Sequence, residues 1–288
     1  MDILPQLIFN SIIAGAIYMM VALGFNLIYG TVKFFDLGYG ALTVVGGYMV
    51  FLFYKKLGFD LSLAVSLGIL ITGTVGYLIN KFVYKKLRDR KASSMVLLVA
   101  SLGMLTVLQA IVAMIFTSQF QTLSIGGGTS RVFELFGAII TEVQAVILIS
   151  GLMIAVTLSV ILKKTLFGKA VNAVADDEEV AKIVGINTNK IIAAVFFIGS
   201  SIAGLAGILV GFDTGVEPTM GLSLLLKGII ASIIGGIGNI YGAVLGAFLL
   251  GFVENFGIWK ISGEWKDAIA FGLLIIFLLF RPQGILRK

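Results

Sequence analysis

Long apolar runs, separated by short polar stretches, occupy most of this 288-residue chain. About 20 predominantly apolar residues are enough to cross a bilayer as a helix. Runs of about that length, and shorter apolar stretches beside them, lie near residues 4–30, 31–54, 61–84, 92–117, 143–162, 191–212, 222–234, 240–253 and 267–280. The pattern predicts an all-α, polytopic helical membrane protein with about eight or nine membrane segments, some of them broken. We expect a single membrane-embedded domain over residues 1–288.

The first interruption lies in residues 31–48, where Lys33, Asp36 and two nearby glycines break the apolar signal before it resumes. Non-helical backbone at membrane depth is tolerated only beside protein or a water-filled cavity. One interpretation is a tight cytoplasmic turn, and the other is a broken helix that lines a pathway. Asp36 and Lys227 are the leading candidates for ionisable residues within the membrane, unless both simply lie at helix ends.

The polar segment Lys163–Lys190, which we call the island, is the longest hydrophilic stretch between apolar runs. Its apolar residues recur at three- and four-residue spacing, which predicts one helical face: they are Ala170, Ala173, Val174, Val180, Ala181 and Val184. An acidic cluster, Asp176, Asp177, Glu178 and Glu179, lies in the middle, and Gly185 ends the helical pattern. The island is either a solvated loop or a surface that docks a soluble partner, and the apolar face favours docking.

A glycine pattern, GGIGNIYGAVLGA, begins at Gly235. Gly238, Gly242 and Gly246 are spaced by four, so they form a doubled GxxxG stripe on a continuous helix. The stripe predicts a helix-packing face where two backbones approach closely, and ordinary packing within the chain would explain it equally well.

Composition excludes several classes of function. Hydrophobic residues make up 59% of the chain and charged residues 12%, about half the charged share of a soluble domain. Cysteine and histidine are absent, which removes disulfides, thiol chemistry and the commonest proton shuttle and metal ligand. Without a base to activate a nucleophile, we expect no catalytic residues, no cofactor and no metal site. The net charge of +6 lies at membrane edges and does not indicate nucleic acid.

Basic clusters predict the orientation, because Lys and Arg accumulate on the cytoplasmic side. Such clusters occur in residues 85–91, in residues 163–169 and at the C-terminus, with Arg281, Arg287 and Lys288. The N-terminus is then outside, and the C-terminus and the island are cytoplasmic. Lys55 and Lys56 fall on the wrong side of this scheme. The first apolar run lacks a basic n-region and a cleavage site, so we expect a retained span.

These residues together resemble the membrane permease subunits of branched-chain amino-acid ABC importers. The resemblance covers nearly the whole chain: FGKAVNAVADDEEVAKIVGINTNKI with FFIGSSIAGLAGIL, the glycine pattern, and LGFNLIYGTVKFFDLGYGALTVVGGY. Glu179, Ala181 and Gly185 keep the E-x-A-x-x-x-G spacing of the broader ABC-importer coupling motif, with Val180 where alanine is more usual. Tyr39 replaces the family's common histidine, and Ala41 replaces an acidic residue often seen there.

The resemblance implies a transmembrane permease subunit of an ATP-driven importer for branched-chain amino acids or related amino acids and amides, in the plasma (inner) membrane. Its implied partners are a second homologous permease subunit, two cytoplasmic ATPase subunits, an extracytoplasmic solute-binding protein and the lipid membrane. The implied ATPase-coupling residues are Ala173, Asp176, Asp177, Glu178, Glu179, Ala181, Val184 and Gly185. The substrate-path candidates are Asp36, Tyr39 and Gly40. The alternative is a self-sufficient channel or secondary carrier for a small neutral solute, whose island would be an ordinary loop.

Overall fold

The computed structural model describes residues 3–123 and 132–286. Helices dominate this part of the chain, which confirms the predicted fold class. The helices are α1 Ile3–Val32, α2 Gly38–Val50, α3 Leu61–Ile79, α4 Lys85–Asp89, α5 Ser94–Phe116, α6 Glu142–Lys164, α7 Leu166–Asp176, α8 Glu178–Ile183, α9 Thr188–Asp213, α10 Met220–Gly235, α11 Ile240–Ile258 and α12 Lys266–Phe280. Phe51–Lys56 and Asn80–Tyr84 form π-helical turns after α2 and α3, and Gly263–Trp265 is a short 3₁₀ turn.

Six helices in the described residues are long and apolar enough to cross a membrane. They are Ile3–Val32, Leu61–Asp89, Ser94–Phe116, Glu142–Lys164, Thr188–Asp213 and Ile240–Ile258. Helices α2, α10 and α12 are shorter, as the interrupted apolar stretches indicate. Arg287 and Lys288 of the predicted C-terminal basic cluster lie outside the described residues.

Side-chain caps explain where many of these helices begin. Asp60, Ser93, Thr165, Asn187 and Asn239 each accept a hydrogen bond from a backbone N–H of the first helical turn that follows. The first N–H groups of a helix have no partner within the helix, and short polar side chains provide one. The caps therefore fix the starts of α3, α5, α7, α9 and α11.

Contacts within the chain are densest in two units, which are described separately. The first unit contains the described residues of Met1–Asn26, Ser124–Ala155 and Leu226–Lys288, and the second contains Leu27–Leu123 and Val156–Leu225. A single membrane-embedded domain over the whole chain stays a prediction.

The second unit is built on close packing of α2 with α3 and α9. A Cβ added to Gly46 would collide with the backbone of Gly204, and one added to Gly207 would collide with the carbonyl of Thr43. On α3, a Cβ added to Gly76 would collide with Ser200. Small residues let helices approach closely in lipid, where the hydrophobic effect does not drive them together.

The first unit brings α10 and α11 together in the same way. A Cβ on Gly242 would meet the carbonyl of Gly235, and one on Gly246 would meet the carbonyl of Ala231. The backbone N–H of Ile285 donates to the Ile234 carbonyl over 2.8 Å, so the C-terminal tail is attached to the end of α10.

A β-hairpin in this unit was not predicted from the sequence. Strands β1 Val132–Leu135 and β2 Ala138–Thr141 pair antiparallel, with Leu135 opposite Ala138. The Gln6 side chain accepts a bond from the Ile139 N–H over 2.8 Å and donates to the Ile139 carbonyl over 3.2 Å. These two hydrogen bonds attach the hairpin to α1.

Candidate functional site

The break between α1 and α2 encloses a buried carboxylate. The Asp36 side chain is buried, the Tyr84 hydroxyl donates to its Oδ1 over 2.6 Å, and the backbone N–H groups of Gly38 and Tyr39 also bond it. The Leu37 N–H donates to the Ser101 hydroxyl over 3.0 Å. Asp36 therefore caps the start of α2, since those N–H groups have no partner within the helix.

The other two substrate-path candidates are also enclosed within the second unit. Tyr39 is fully buried, and Gly40 lies against the backbone of Gly221 so closely that a Cβ would collide with the Gly221 carbonyl. Asp36, Tyr39 and Gly40 thus line a packed junction of α2. Their role in a substrate path stays a prediction.

A cluster of charged side chains in the first unit was missed by the sequence reasoning, apart from Lys227. Its centre is Glu254, which is 0% exposed within α11. The Tyr18 hydroxyl donates to Glu254 Oε2 over 2.6 Å, and Lys227 Nζ lies 3.4 Å from Glu254 Oε1. Lys227 also pairs with Asp267 at 3.2 Å, and Lys266 approaches Glu254 at 3.7 Å.

This cluster connects four helices by charge. Tyr18 belongs to α1, Lys227 to α10, Glu254 to α11, and Lys266 and Asp267 to the start of α12. Two basic and two acidic groups balance, so no net charge is left in the apolar surroundings. Breaking a buried ion pair by removing one partner is strongly destabilising, because an uncompensated charge stays behind.

A signal for Glu254 was present in the sequence. Ala243, Ala247, Leu250 and Glu254 follow one another at spacings of four, three and four, which places them on one helical face. All four are fully buried. The predicted apolar run ends at residue 253, one residue before Glu254. Glu254 was therefore not recognised as part of the buried face, although α11 continues to Ile258.

The predicted glycine stripe is only partly a helical feature. Gly238 precedes α11 in a turn with φ of +87°, and its N–H donates to the Asn26 Oδ1 over 2.6 Å. The doubled stripe is therefore wrong at Gly238, because Asn239 is the cap and the helix starts at Ile240, two residues after Gly238. Gly242 and Gly246 do lie on α11, facing α10 of the same chain.

The island folds as two helices and not as the single one that its periodicity predicted. Helix α7 ends at Asp176, and the Asp177 carboxylate accepts bonds from the N–H groups of Glu179 at 2.8 Å and Val180 at 3.0 Å. Helix α8 ends at Ile183, and Gly185 terminates the helical path two residues later with a φ of +88°. The Ile186 N–H donates a hydrogen bond back to the Ala181 carbonyl. The predicted glycine end is confirmed.

The break divides the predicted apolar face. Ala181 is 2% exposed and so is not available to a partner, whereas Val184 is 69% exposed. The prediction of one apolar face that includes Ala173, Ala181 and Val184 is therefore wrong. Four large apolar side chains of the island are instead exposed: Leu166, Val180, Ile183 and Val184, which we call the island patch.

Glu178 connects the island to its surroundings. Its carboxylate pairs with Lys182 at 2.8 Å and accepts a bond from the Thr188 hydroxyl at 3.3 Å. Burial opposes its ionisation, but the Lys182 hydrogen bond and the nearby charges of Arg88 and Lys182 outweigh burial, so the pKa of Glu178 lies below its ordinary value. Asp176 and Glu179 are exposed. Within the described residues, no group of three or more acidic side chains could hold a metal ion.

Long apolar helices, glycine-mediated packing and a polar segment between spans define a polytopic helical membrane protein. The family model for the branched-chain amino acid transport system permease component matches residues 7–278. The chain belongs to this family of permease subunits.

Two relatives and one solved structure extend the comparison. The chain is 32% identical to the high-affinity branched-chain amino acid transport system permease protein BraD of Pseudomonas aeruginosa, covering 99% of this chain and 96% of BraD. It is 34% identical to the permease protein LivH of the corresponding system of Salmonella typhimurium, covering 98% and 95%. A chain in the structure of PsaBC from Streptococcus pneumoniae in complex with Fab shares the fold, with a TM-score of 0.53, 12% identity, and coverage of 98% and 93%.

Proposed function

We propose that the chain is the transmembrane subunit of an ATP-driven importer for branched-chain amino acids or related amino acids and amides, and that it forms the translocation path. Membership of the permease family supports this proposal, as do BraD and LivH, which are named as branched-chain amino acid transport permeases. The chain itself hydrolyses nothing and uses no cofactor. In this proposal Asp36, Tyr39 and Gly40 border the path.

The observation that carries the proposal is the island patch. Leu166 is 84% exposed and Ile183 is 83% exposed, and neither lies within a candidate span. Large apolar side chains that stay exposed outside the spans point to an interaction surface. Short helices that present such side chains dock into grooves. The groove proposed here belongs to a cytoplasmic ATPase subunit.

The island is joined firmly enough to transmit movement. At its start, Thr165 caps α7 and also donates to the Ile161 carbonyl of α6 over 2.6 Å. At its end, Glu178 bonds Thr188, the first residue of α9. A push on the island patch by a closing pair of ATPases would therefore reach α6 and α9 directly, and rocking of these helices is the proposed basis of alternating access.

The complete importer in this proposal contains a second homologous permease subunit, two ATPase subunits and an extracytoplasmic solute-binding protein. The N-terminus is outside and the island is cytoplasmic, since the basic residues 85–91 favour that side. Cysteine labelling tests the orientation cleanly, because the chain has no cysteine. A cysteine at position 89 or 177 should not react with an impermeant reagent added to intact cells. Labelling from outside would show that the orientation is the reverse of the one proposed.

The coupling experiment replaces Ile183 and Val184 by Asp in one variant. Truncating an apolar anchor at an interface often weakens binding about tenfold or more. We expect normal insertion, with loss of ATPase co-purification and of substrate-stimulated ATP hydrolysis. Lys169→Asp is the control, because it places an acid at an exposed polar position of α7. Ala181→Trp is less informative, since a buried alanine cannot enlarge without disturbing the island itself.

Wild-type coupling in the Ile183→Asp/Val184→Asp variant would contradict the docking role. The self-sufficient channel or secondary carrier would then become the better account, with the island as an ordinary loop. Loss of insertion in this variant and not in Lys169→Asp would instead mean that the patch holds the fold together.

A further inference from the structure

A groove of about 550 Å³ opens in the second unit between the end of α3 and the start of α9. The α3 side is formed by Tyr77, by Asn80 and Lys81 of the π-helical turn, and by Lys85, the first residue of α4. The α9 side is formed by Asn189–Lys190 and, further along, by Ala193, Ala194, Phe197 and Ile198. A π-helical turn widens a helix locally and often marks a functional site. The two alanines leave the space that larger side chains would fill.

The groove changes from cationic to apolar along its length. Lys85 and Lys190 lie nearest the ends of the two candidate spans, whereas Tyr77 and Ile198 lie eight residues further in on their respective helices. At about 1.5 Å per residue, this separation is about 12 Å. One end of the groove therefore lies at the level of lipid headgroups and the other at the level of acyl chains.

Three lysines line the groove without an acidic residue among its lining side chains: Lys81, Lys85 and Lys190. Within the described residues, none of the three forms an ion pair, although the Lys81 ammonium lies over the rings of Tyr77 and Phe82. The groove thus carries an excess of positive charge beside apolar walls. This combination fits a ligand that is anionic at one end and apolar at the other.

Asn80 supplies an independent indication of a ligand. It lines the groove, its side chain is 2% exposed, and its Oδ1 is buried with no hydrogen-bond partner in the described structure. Buried polar atoms are nearly always bonded, so an orphaned acceptor here calls for a donor. A hydroxyl on a bound headgroup would supply that donor once the Asn80 side chain turns its oxygen towards the groove.

We propose that this groove is a binding site for an anionic phospholipid whose headgroup carries a hydroxyl, such as phosphatidylglycerol. The phosphate lies among Lys81, Lys85 and Lys190, and the headgroup hydroxyl donates to Asn80 Oδ1. An acyl chain follows Phe197 and Ile198 towards the bilayer interior. A soluble phosphate compound would use the cationic end alone and leave the apolar end unoccupied, so we assign the site to lipid.

The test titrates the full-length chain, purified in a non-ionic detergent, with phosphatidylglycerol and phosphatidylcholine of matched acyl chains and counts bound lipid by native mass spectrometry. Each lysine near an anionic lipid contributes about fivefold in affinity. The groove variant Lys81→Gln/Lys85→Gln/Lys190→Gln should therefore lose about a hundredfold in affinity for phosphatidylglycerol. The control variant Lys86→Gln/Arg90→Gln/Lys91→Gln removes the same charge from exposed positions outside the groove, and it should change affinity less than about threefold.

A second pair of measurements tests two contributions separately: the hydrogen bond to Asn80, and the open volume of the groove. Wild type should prefer phosphatidylglycerol over phosphatidylmethanol, which is equally anionic but lacks the hydroxyl, and Asn80→Leu should remove that preference. Ala193→Trp fills the groove without changing charge and should lower binding of both lipids.

Three outcomes would overturn the proposal. The first is an equal loss of affinity in the groove and control variants. The second is competition by soluble glycerol 3-phosphate at the concentration where phosphatidylglycerol binds. The third concerns an assembled complex that carries no bound lipid. If a protein subunit buries a cysteine at position 190 in that complex, the groove is a protein contact.

Discussion

The buried charge cluster makes a sharp prediction about stability. Replacing Glu254 by Leu removes the acid that faces Tyr18 and Lys227, and leaves Lys227 with Asp267 as its remaining partner. Breaking a buried ion pair costs about 3–5 kcal/mol. Because Lys227 is partly exposed and keeps Asp267 as a partner, we expect about 3 kcal/mol for Glu254→Leu, the lower end of this range. Lys227→Leu leaves a fully buried carboxylate whose remaining cation, Lys266, lies 3.7 Å away, so we expect about 4 kcal/mol.

The double variant Glu254→Leu/Lys227→Leu separates electrostatics from packing. Replacing both members of a buried pair by apolar residues is often close to neutral. We therefore expect the double variant to be more stable than either single variant, with a coupling energy of at least about 2 kcal/mol. Independent contributions would instead add, and the double variant would then be the least stable of the three.

Intrinsic fluorescence is a suitable assay because both tryptophans of the chain are near the cluster in sequence. Trp259 directly follows α11, and Trp265 directly precedes α12. Unfolding in a non-ionic detergent would be followed for all three variants and for Glu264→Gln. Glu264 is exposed, so this control should change stability by less than about 0.5 kcal/mol. Additive single and double variants would refute the role assigned to the cluster.

Three further predictions follow from the packing, the break and the island. Gly242→Leu should destabilise the chain and reduce its assembly, because a branched side chain cannot fit against a facing backbone. The control Gly272→Leu should be tolerated, because Gly272 has open space around it. Equal yields and melting temperatures of the two variants would contradict this prediction. Asp36→Asn and Tyr39→His should alter which solutes are taken up more than how much protein accumulates, and unchanged selectivity in both would leave the break as a structural turn. Since folding lowers the pKa of Glu178, its ionised form contributes stability above the ordinary glutamate pKa that is lost as pH falls through the lower, folded value. Protease resistance of the island should therefore be greater in wild type than in Glu178→Gln at neutral pH, and the difference should vanish in acid; a difference independent of pH would be inconsistent with this assignment.

Features that depend on local pattern could be predicted from the sequence. Apolar runs long enough to span a bilayer gave the main helices to within a few residues, because helix formation in lipid satisfies the backbone within each segment. The end of α8 at Gly185 was also predictable, since glycine adopts the left-handed conformation readily. The short apolar stretch 222–234 corresponds to α10, which is too short to span a bilayer unaided.

Features that depend on a distant or competing partner could not be predicted. The spacing of the island favoured one helix, but the Asp177 carboxylate bonds the backbone and starts a second helix instead. Gly242 was recognised as a packing residue. That it packs against Gly235 depends on how the turn before α11 folds, and the sequence does not show this. Asp36 has Tyr84 as its partner, 48 positions away in the chain. The hairpin β1–β2 is short and was hidden in a stretch without clear periodicity.

The central claim, that ATP drives import through this chain, is tested most directly by uptake. Cells lacking the chain would be supplied with wild type or with the Ile183→Asp/Val184→Asp variant, and given a panel of radiolabelled branched-chain amino acids, other amino acids and amides. We predict that wild type restores uptake of at least one branched-chain or related substrate, that depleting ATP while the proton gradient is kept abolishes it, and that the variant restores none. Uptake that persists without ATP, or an island variant that transports normally, would contradict the account.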